Sequence, residues 1–213
     1  MAIRRLLVLI SLVGLACASA CTINSQGDPK PANTTETADS GSSPRTSGNG
    51  NEELPYAGAP KVNNPLDTSR FEKDPCQSLT ADQAQSLNVP ATGTINDNAA
   101  LATACDWKNP TTRGFVEIAF IVDDPYGLSQ EYDAKNRGEF PNFKELPKID
   151  GYPAITRDGA DKWGGCTVVV GVADDMSFEA SVELSQANIG KKDPCDVAVQ
   201  VAGLALQTMK SGG

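Results

Sequence analysis

Between Gly114 and Val122 the chain is almost continuously apolar, with Phe115, Val116, Ile118, Phe120, Ile121 and Val122 broken only by Glu117 and Ala119. A run of this length and composition predicts a strand whose two faces are both at least partly covered. Cys166 to Val172 carries a second such run. From Ser177 to Leu184 the pattern changes to strict alternation, Phe178, Ala180, Val182 and Leu184 against Ser177, Glu179, Ser181 and Glu183, which is the period of a strand with one wet face. Asp174-Asp175 between these two runs supplies turn chemistry and makes them a hairpin. Tyr152 to Thr156 is a further strand, and Cys105-Asp106-Trp107 opens the sheet ahead of the break at Asn109-Pro110.

A 3.6-residue period replaces the two-residue one near the C-terminus. Asp193 as N-cap and Pro194 at the first helical position lead into Cys195 to Met209, where Val197, Val201 and Leu204 with Ala198, Ala202 and Ala205 form an apolar stripe. Thr80 followed by Gln83 is a capping-box signature for a short helix through Leu87. Leu128 to Lys135 has helix-compatible composition, whereas Asn88 to Ala100 reads as loop and Gly138 to Pro147 as irregular. The expected fold is α+β, an antiparallel or mixed sheet packed by N-terminal and C-terminal helices.

The first 63 residues follow a different logic. Arg4 and Arg5 precede an apolar run from Leu6 to Leu15, then the small residues Ala16-Cys17-Ala18-Ser19-Ala20 ahead of Cys21. The run is short for a membrane span, and the whole reads as a cleaved export signal over 1–20. Ala18-Ser19-Ala20-Cys21 fits a bacterial lipobox, so Cys21 is the expected lipid attachment point, carrying acyl chains such as palmitate. An unlipidated signal cut near Ala20 and attachment at Cys17 are the alternatives. Residues 21–63 are expected to form a lipidated N-terminus and a Ser/Thr/Gly/Pro-rich tether that buries too little apolar surface to order itself. A flexible tether of that length reaches roughly 35 Å. The globular domain is then 64–213.

Export changes the reading of the cysteines. Setting aside Cys17 and Cys21 leaves Cys76, Cys105, Cys166 and Cys195, an even number in an oxidising compartment. Asp-Pro-Cys occurs twice, at 74–76 and 193–195, each time at a predicted helix start, and each has another cysteine 29 residues away. Three pairings are open, and sequence alone does not choose among them; the expectation is the neighbouring one, Cys76 with Cys105 and Cys166 with Cys195. No C-x-x-C suggests redox chemistry.

Asn64-Pro65-Leu66-Asp67, Phe71, Asp74-Pro75-Cys76, Leu79-Thr80, Cys105-Asp106-Trp107, the strand from Cys166 and the closing Asp193-Pro194-Cys195 helix together resemble the actinomycete lipoproteins of the domain of unknown function 3558 family. The resemblance spans roughly Asn64 to Met209, and the lipobox and polar tether are typical of it. It implies the same address and fold, without an activity.

Charge and composition narrow the function classes. The net charge of -9, with no histidine in the chain, disfavours nucleic-acid and anionic-surface binding and removes the commonest general base and transition-metal ligand. Asp123-Asp124 and Asp174-Asp175 lack the spacing of a calcium loop and read as turns, as does Arg157 to Asp161. Glu117 is expected to face water at a sheet edge; buried instead, it would be a carboxyl of raised pKa. Ser129, Ser177 and Ser181 have no nucleophile elbow around them. No catalytic residue, metal ligand or cofactor is therefore expected. Tyr126 and Trp163, flat rings in loops or at strand ends, are the candidate ligand contacts. The expectation is a membrane-anchored lipoprotein on the extracytoplasmic face of the cell membrane, binding an envelope ligand or protein partner without catalysis. Its rivals are a carboxylate-dependent enzyme acting on wall polymers, which requires two opposed carboxylates in a cleft, and a purely structural surface protein.

Overall fold

The computed structural model describes residues 53–96 and 102–212. The expected export segment, Cys21 and the tether up to residue 52 lie outside the described residues.

Seven strands form one sheet: β1 (Thr94–Asn96), β2 (Ala102–Lys108), β3 (Phe115–Ile121), β4 (Lys144–Ile149), β5 (Tyr152–Thr156), β6 (Gly165–Ala173) and β7 (Met176–Glu183). Their order is β1-β2-β3-β7-β6-β5-β4, and every pairing is antiparallel. Two meanders, β1 to β3 and β4 to β7, are thus joined where β7 returns beside β3. The hairpin expected at Asp174-Asp175 is the β6–β7 turn.

One face of the sheet carries Cys105, Trp107, Val116, Ile118, Phe120, Val168, Val170, Phe178 and Ala180, all buried. Helix α4 (Pro194–Lys210) lies across it. Asp193 caps that helix by accepting from the Cys195 amide at 2.8 Å, and Ala198, Ala202 and Ala205 give its buried stripe the small side chains that close approach needs. Two short helices, α1 (Ser69–Lys73) and α2 (Ala81–Ser86), and a 3-10 turn at Pro75–Ser78 belong to the same core, with Phe71, Leu79 and Ala84 buried. The Thr80/Gln83 capping box is complete in both directions.

Helix α3 (Ser129–Asn136) covers the other face, but only over β5 and β6. There Leu128 and Tyr132 meet Ile155 and Val169, with Ala57, Ala59 and Phe143 around them. This second layer explains why β6 is apolar on both sides. Packing also begins earlier than Asn64: the Tyr56 amide donates to Ser129 Oγ at 3.1 Å, Val62 is buried, and its amide donates to Asp174 Oδ1 at 2.8 Å. Residues 56–66 therefore pass from the α3 side to the α4 side around the β6–β7 turn.

Both disulfides take the neighbouring pairing, Cys76–Cys105 and Cys166–Cys195, with Cα–Cα distances of 5.1 Å. Each ties a strand to the start of a helix or 3-10 turn.

Several expectations need correction. Cys105-Asp106-Trp107 does not open the sheet: β1 precedes it, and Cys105 lies in the middle of β2. The presumed loop 88–100 contains β1, a three-residue edge strand with Ile95 exposed. Pairing to β2 is supplied by the backbone, so no hydrophobic pattern announces it. Gly93 leads into it with no room for a side chain, since a Cβ there would stand 2.3 Å from Cys105 Sγ. The presumed irregular stretch 138–147 ends in β4, the opposite edge. Pro147 is tolerated there because the register shifts between Leu146 and Ile149, and lysines at 144 and 148 keep the edge from pairing with another chain.

Candidate ligand-binding face

The apolar cluster beneath α3 ends at Val169. Beyond it, across β7, β3 and β2, the same face of the sheet turns polar. Strand register sets Thr94, Asp106, Glu117, Ser181 and Thr167 directly opposite one another on β1, β2, β3, β7 and β6. The neighbouring row is Ala104, Ala119 and Glu179, and the two alanines, both buried, give that row a low floor. This polar band across the strands, with small side chains beside it, is termed the trough. A hollow of about 400 Å³, lined by Thr92, Thr94, Ile95, Asn96, Asp106 and Lys108, borders it on the β1 side. Another of about 280 Å³, lined by Ile121, Glu131, Phe140, Arg157 and Glu179 among others, borders it beside α3.

Alternation along β2 places Asp106 on this face, between Cys105 and Trp107, which point into the core. Its side chain is only 9% exposed. Oδ2 accepts from Lys108 Nζ at 2.7 Å, while Oδ1 is buried and accepts no hydrogen bond. Glu117, directly opposite, accepts from Asn96 Nδ2 at 3.3 Å and meets the Asp106 carboxyl. Burial first, then the contact with Asp106, push the Glu117 carboxyl above its ordinary value of 4.5, against the opposing pull of Asn96 and Lys108. Lys108 is raised in turn, chiefly by its hydrogen bond to Asp106. Further along, Arg157 joins Glu131 of α3, at 2.8 Å, to Glu179 of β7, and Thr167 and Ser181 share a hydrogen bond of 2.8 Å.

Glu117 is therefore not at a sheet edge. It sits on an interior strand, half-buried, and the alternative of a carboxyl with raised pKa is the one observed. A carboxyl raised by folding binds its proton more tightly in the folded chain. Its stabilising contribution is full below the ordinary value and is lost as pH rises through the raised one. Glu117→Gln, neutral at every pH, is expected to unfold at higher urea than the parent at about pH 7 and to lose this part of the pH dependence. Equal midpoints for the two proteins at about pH 4 and pH 7 would contradict it.

The two aromatic candidates do not meet. Tyr126 follows the C-terminal end of β3 and is half-buried, its ring packed edge-on against Tyr56 at 6.0 Å. Trp163 precedes β6 at the other end of the sheet, 72% exposed, with Lys162 Nζ 5.0 Å from its ring. Asp174 serves the turn and the Val62 amide, and Arg157, read as a turn residue, is part of a partly buried ion network. Asp106, Asn96, Lys108 and Thr167 were not singled out by the sequence as candidates. The one local signal for Asp106 is its place between two residues destined for the core.

Fold and face together define a two-disulfide α+β domain with helices on both sides of an antiparallel sheet and a polar trough on one of them. The chain belongs to the family of proteins of unknown function designated DUF3558, whose family model matches residues 16–208. No curated protein and no solved structure matches it.

Proposed function

We propose that this chain is an exported lipoprotein, held at the extracytoplasmic face of the cell membrane by acyl chains on Cys21, whose domain binds an envelope ligand at the trough without catalysis. The export reading rests on the basic, apolar and small-residue order of residues 1–20, as in the actinomycete lipoproteins it resembles. No helix among the described residues is long and apolar enough to cross a membrane.

One observation carries the binding reading: a buried carboxyl oxygen, Asp106 Oδ1, that accepts no hydrogen bond, within a polar row on a sheet face. Buried acceptors are normally satisfied, and such an exception asks for a donor from outside. Two carboxyls in contact do not suit hydrolysis of wall polymers, which needs them roughly 5 to 9.5 Å apart on either side of the bond.

Native mass spectrometry of the protein purified from its own envelope tests the reading. A co-purifying molecule of constant mass is expected, lost from Ser181→Trp, which fills the trough. A bare wild-type chain, or an adduct that Ser181→Trp retains, would overturn it.

A further inference from the structure

Two acidic side chains set opposite each other on a sheet face repel unless something positive stands between or beside them. Here the two members differ. Asp106 is fixed, its side chain nine-tenths buried and its neighbours Cys105 and Trp107 locked in the core. Glu117 is half-buried and is the movable one. Lys108, its own side chain mostly exposed, lays an ammonium nitrogen on the outer oxygen of Asp106, and the inner oxygen is left without a donor. The chain's own ammonium group thus fills half of the pair.

We propose that Asp106 and Glu117 anchor a primary ammonium group of the ligand. The proposal rests on the reading of the trough as the ligand surface and names the chemistry it recognises. A primary ammonium has three donors; the Asp106 oxygen and the Glu117 carboxyl, opposite each other in register, offer two acceptors, and Thr94, opposite Asp106 and lining the same hollow, carries a third. The surrounding charge agrees. Glu117 is faced by Asp106 and Lys108 on β2, by Asn96 on β1, and by Ser181 on β7, whose Glu179 and Glu183 flank it. Arg157 is already held by Glu131 and Glu179. Carboxylates outnumber cations along the trough, and the net charge of -9 draws cations toward it. A metal ion is a poorer fit, because among the described residues no three acidic or cysteine side chains converge.

The probe is 1,5-diaminopentane, added to the full mature chain and followed by amide chemical shifts and by calorimetry in two buffers of different protonation enthalpy. Saturable shifts confined to the trough are expected, with proton release on binding and affinity that falls by about tenfold or more as the pH drops below the raised Glu117 range. Glu117→Gln and Asp106→Asn should each lose about tenfold in affinity, and Glu117→Gln should also lose the pH dependence. Urea unfolding confirms that each variant is folded. The neutral 1-pentanol should not bind. Absence of saturable shifts at the trough, unchanged affinity in both variants, or equal binding of 1-pentanol would overturn the proposal. An envelope adduct that Ser181→Trp loses, in a protein that ignores the diamine, would refute the ammonium specificity alone and leave the ligand face standing. Failure of both would remove the ligand face itself.

Discussion

Replacing Cys166 and Cys195 by serine is expected to lower the unfolding free energy by about 3.5 kcal/mol, a large share of the roughly 5 to 15 kcal/mol that holds a domain of this size together. The bond closes a loop between cysteines 29 residues apart, and the chain-entropy argument converts that separation into the stated loss. Cys76 and Cys105 close a loop of the same length and should cost a similar amount. Removing both bonds should cost about 7 kcal/mol, enough to unfold a domain at the lower end of that range. Urea denaturation of parent and serine variants under oxidising conditions reads this directly. Midpoints unchanged in either double-serine variant would show that the bond contributes nothing to folding.

Arg157→Met is expected to cost about 2 to 3 kcal/mol, less than for a fully buried pair because the guanidinium keeps a quarter of its surface in water. Arg157 binds two carboxylates, Glu131 from α3 and Glu179 from β7, whose side chains are 10% and 17% exposed. Without it both charges remain buried and face each other. The cost should fall substantially in Arg157→Met combined with Glu131→Gln and Glu179→Gln, since replacing a buried ionic group as a whole is far cheaper than breaking it. Unfolding midpoints of the single and triple variants separate the two effects. A triple variant no more stable than the single one would mean that Arg157 acts through packing against Phe140, whose ring lies 5.9 Å from it, rather than through charge.

How far the sequence foretold this molecule depended on whether the information was local. Helix α4 was legible because its cap, its proline and its stripe lie within one segment, and β6 and β7 because apolar runs and alternation are properties of single strands. The edge strands β1 and β4 were missed for the converse reason: few of their side chains are buried, and only the partner strand defines them. The α3 layer was visible as a helix, but which face it covers was not. The trough is the extreme case. Asp106 and Glu117 stand eleven positions apart on consecutive strands and meet only through the β2–β3 register, which no single-strand pattern encodes. Glu117 could be named as a buried acid or a wet one, and the choice between them turned on strand order. Tyr126 and Trp163 could each be named from the sequence, but that they lie at opposite ends of the sheet depends on the same strand order.

Mass spectrometry of the protein isolated from the membranes of its own cells decides whether Cys21 carries the anchor. The N-terminal peptide should begin at Cys21 and carry diacylglycerol, both neighbouring disulfides should be intact, and Cys21→Ser should release an unlipidated chain from the membrane fraction. A chain still starting at Met1, recovered from the cytosol with residues 76, 105, 166 and 195 as free thiols, would contradict it.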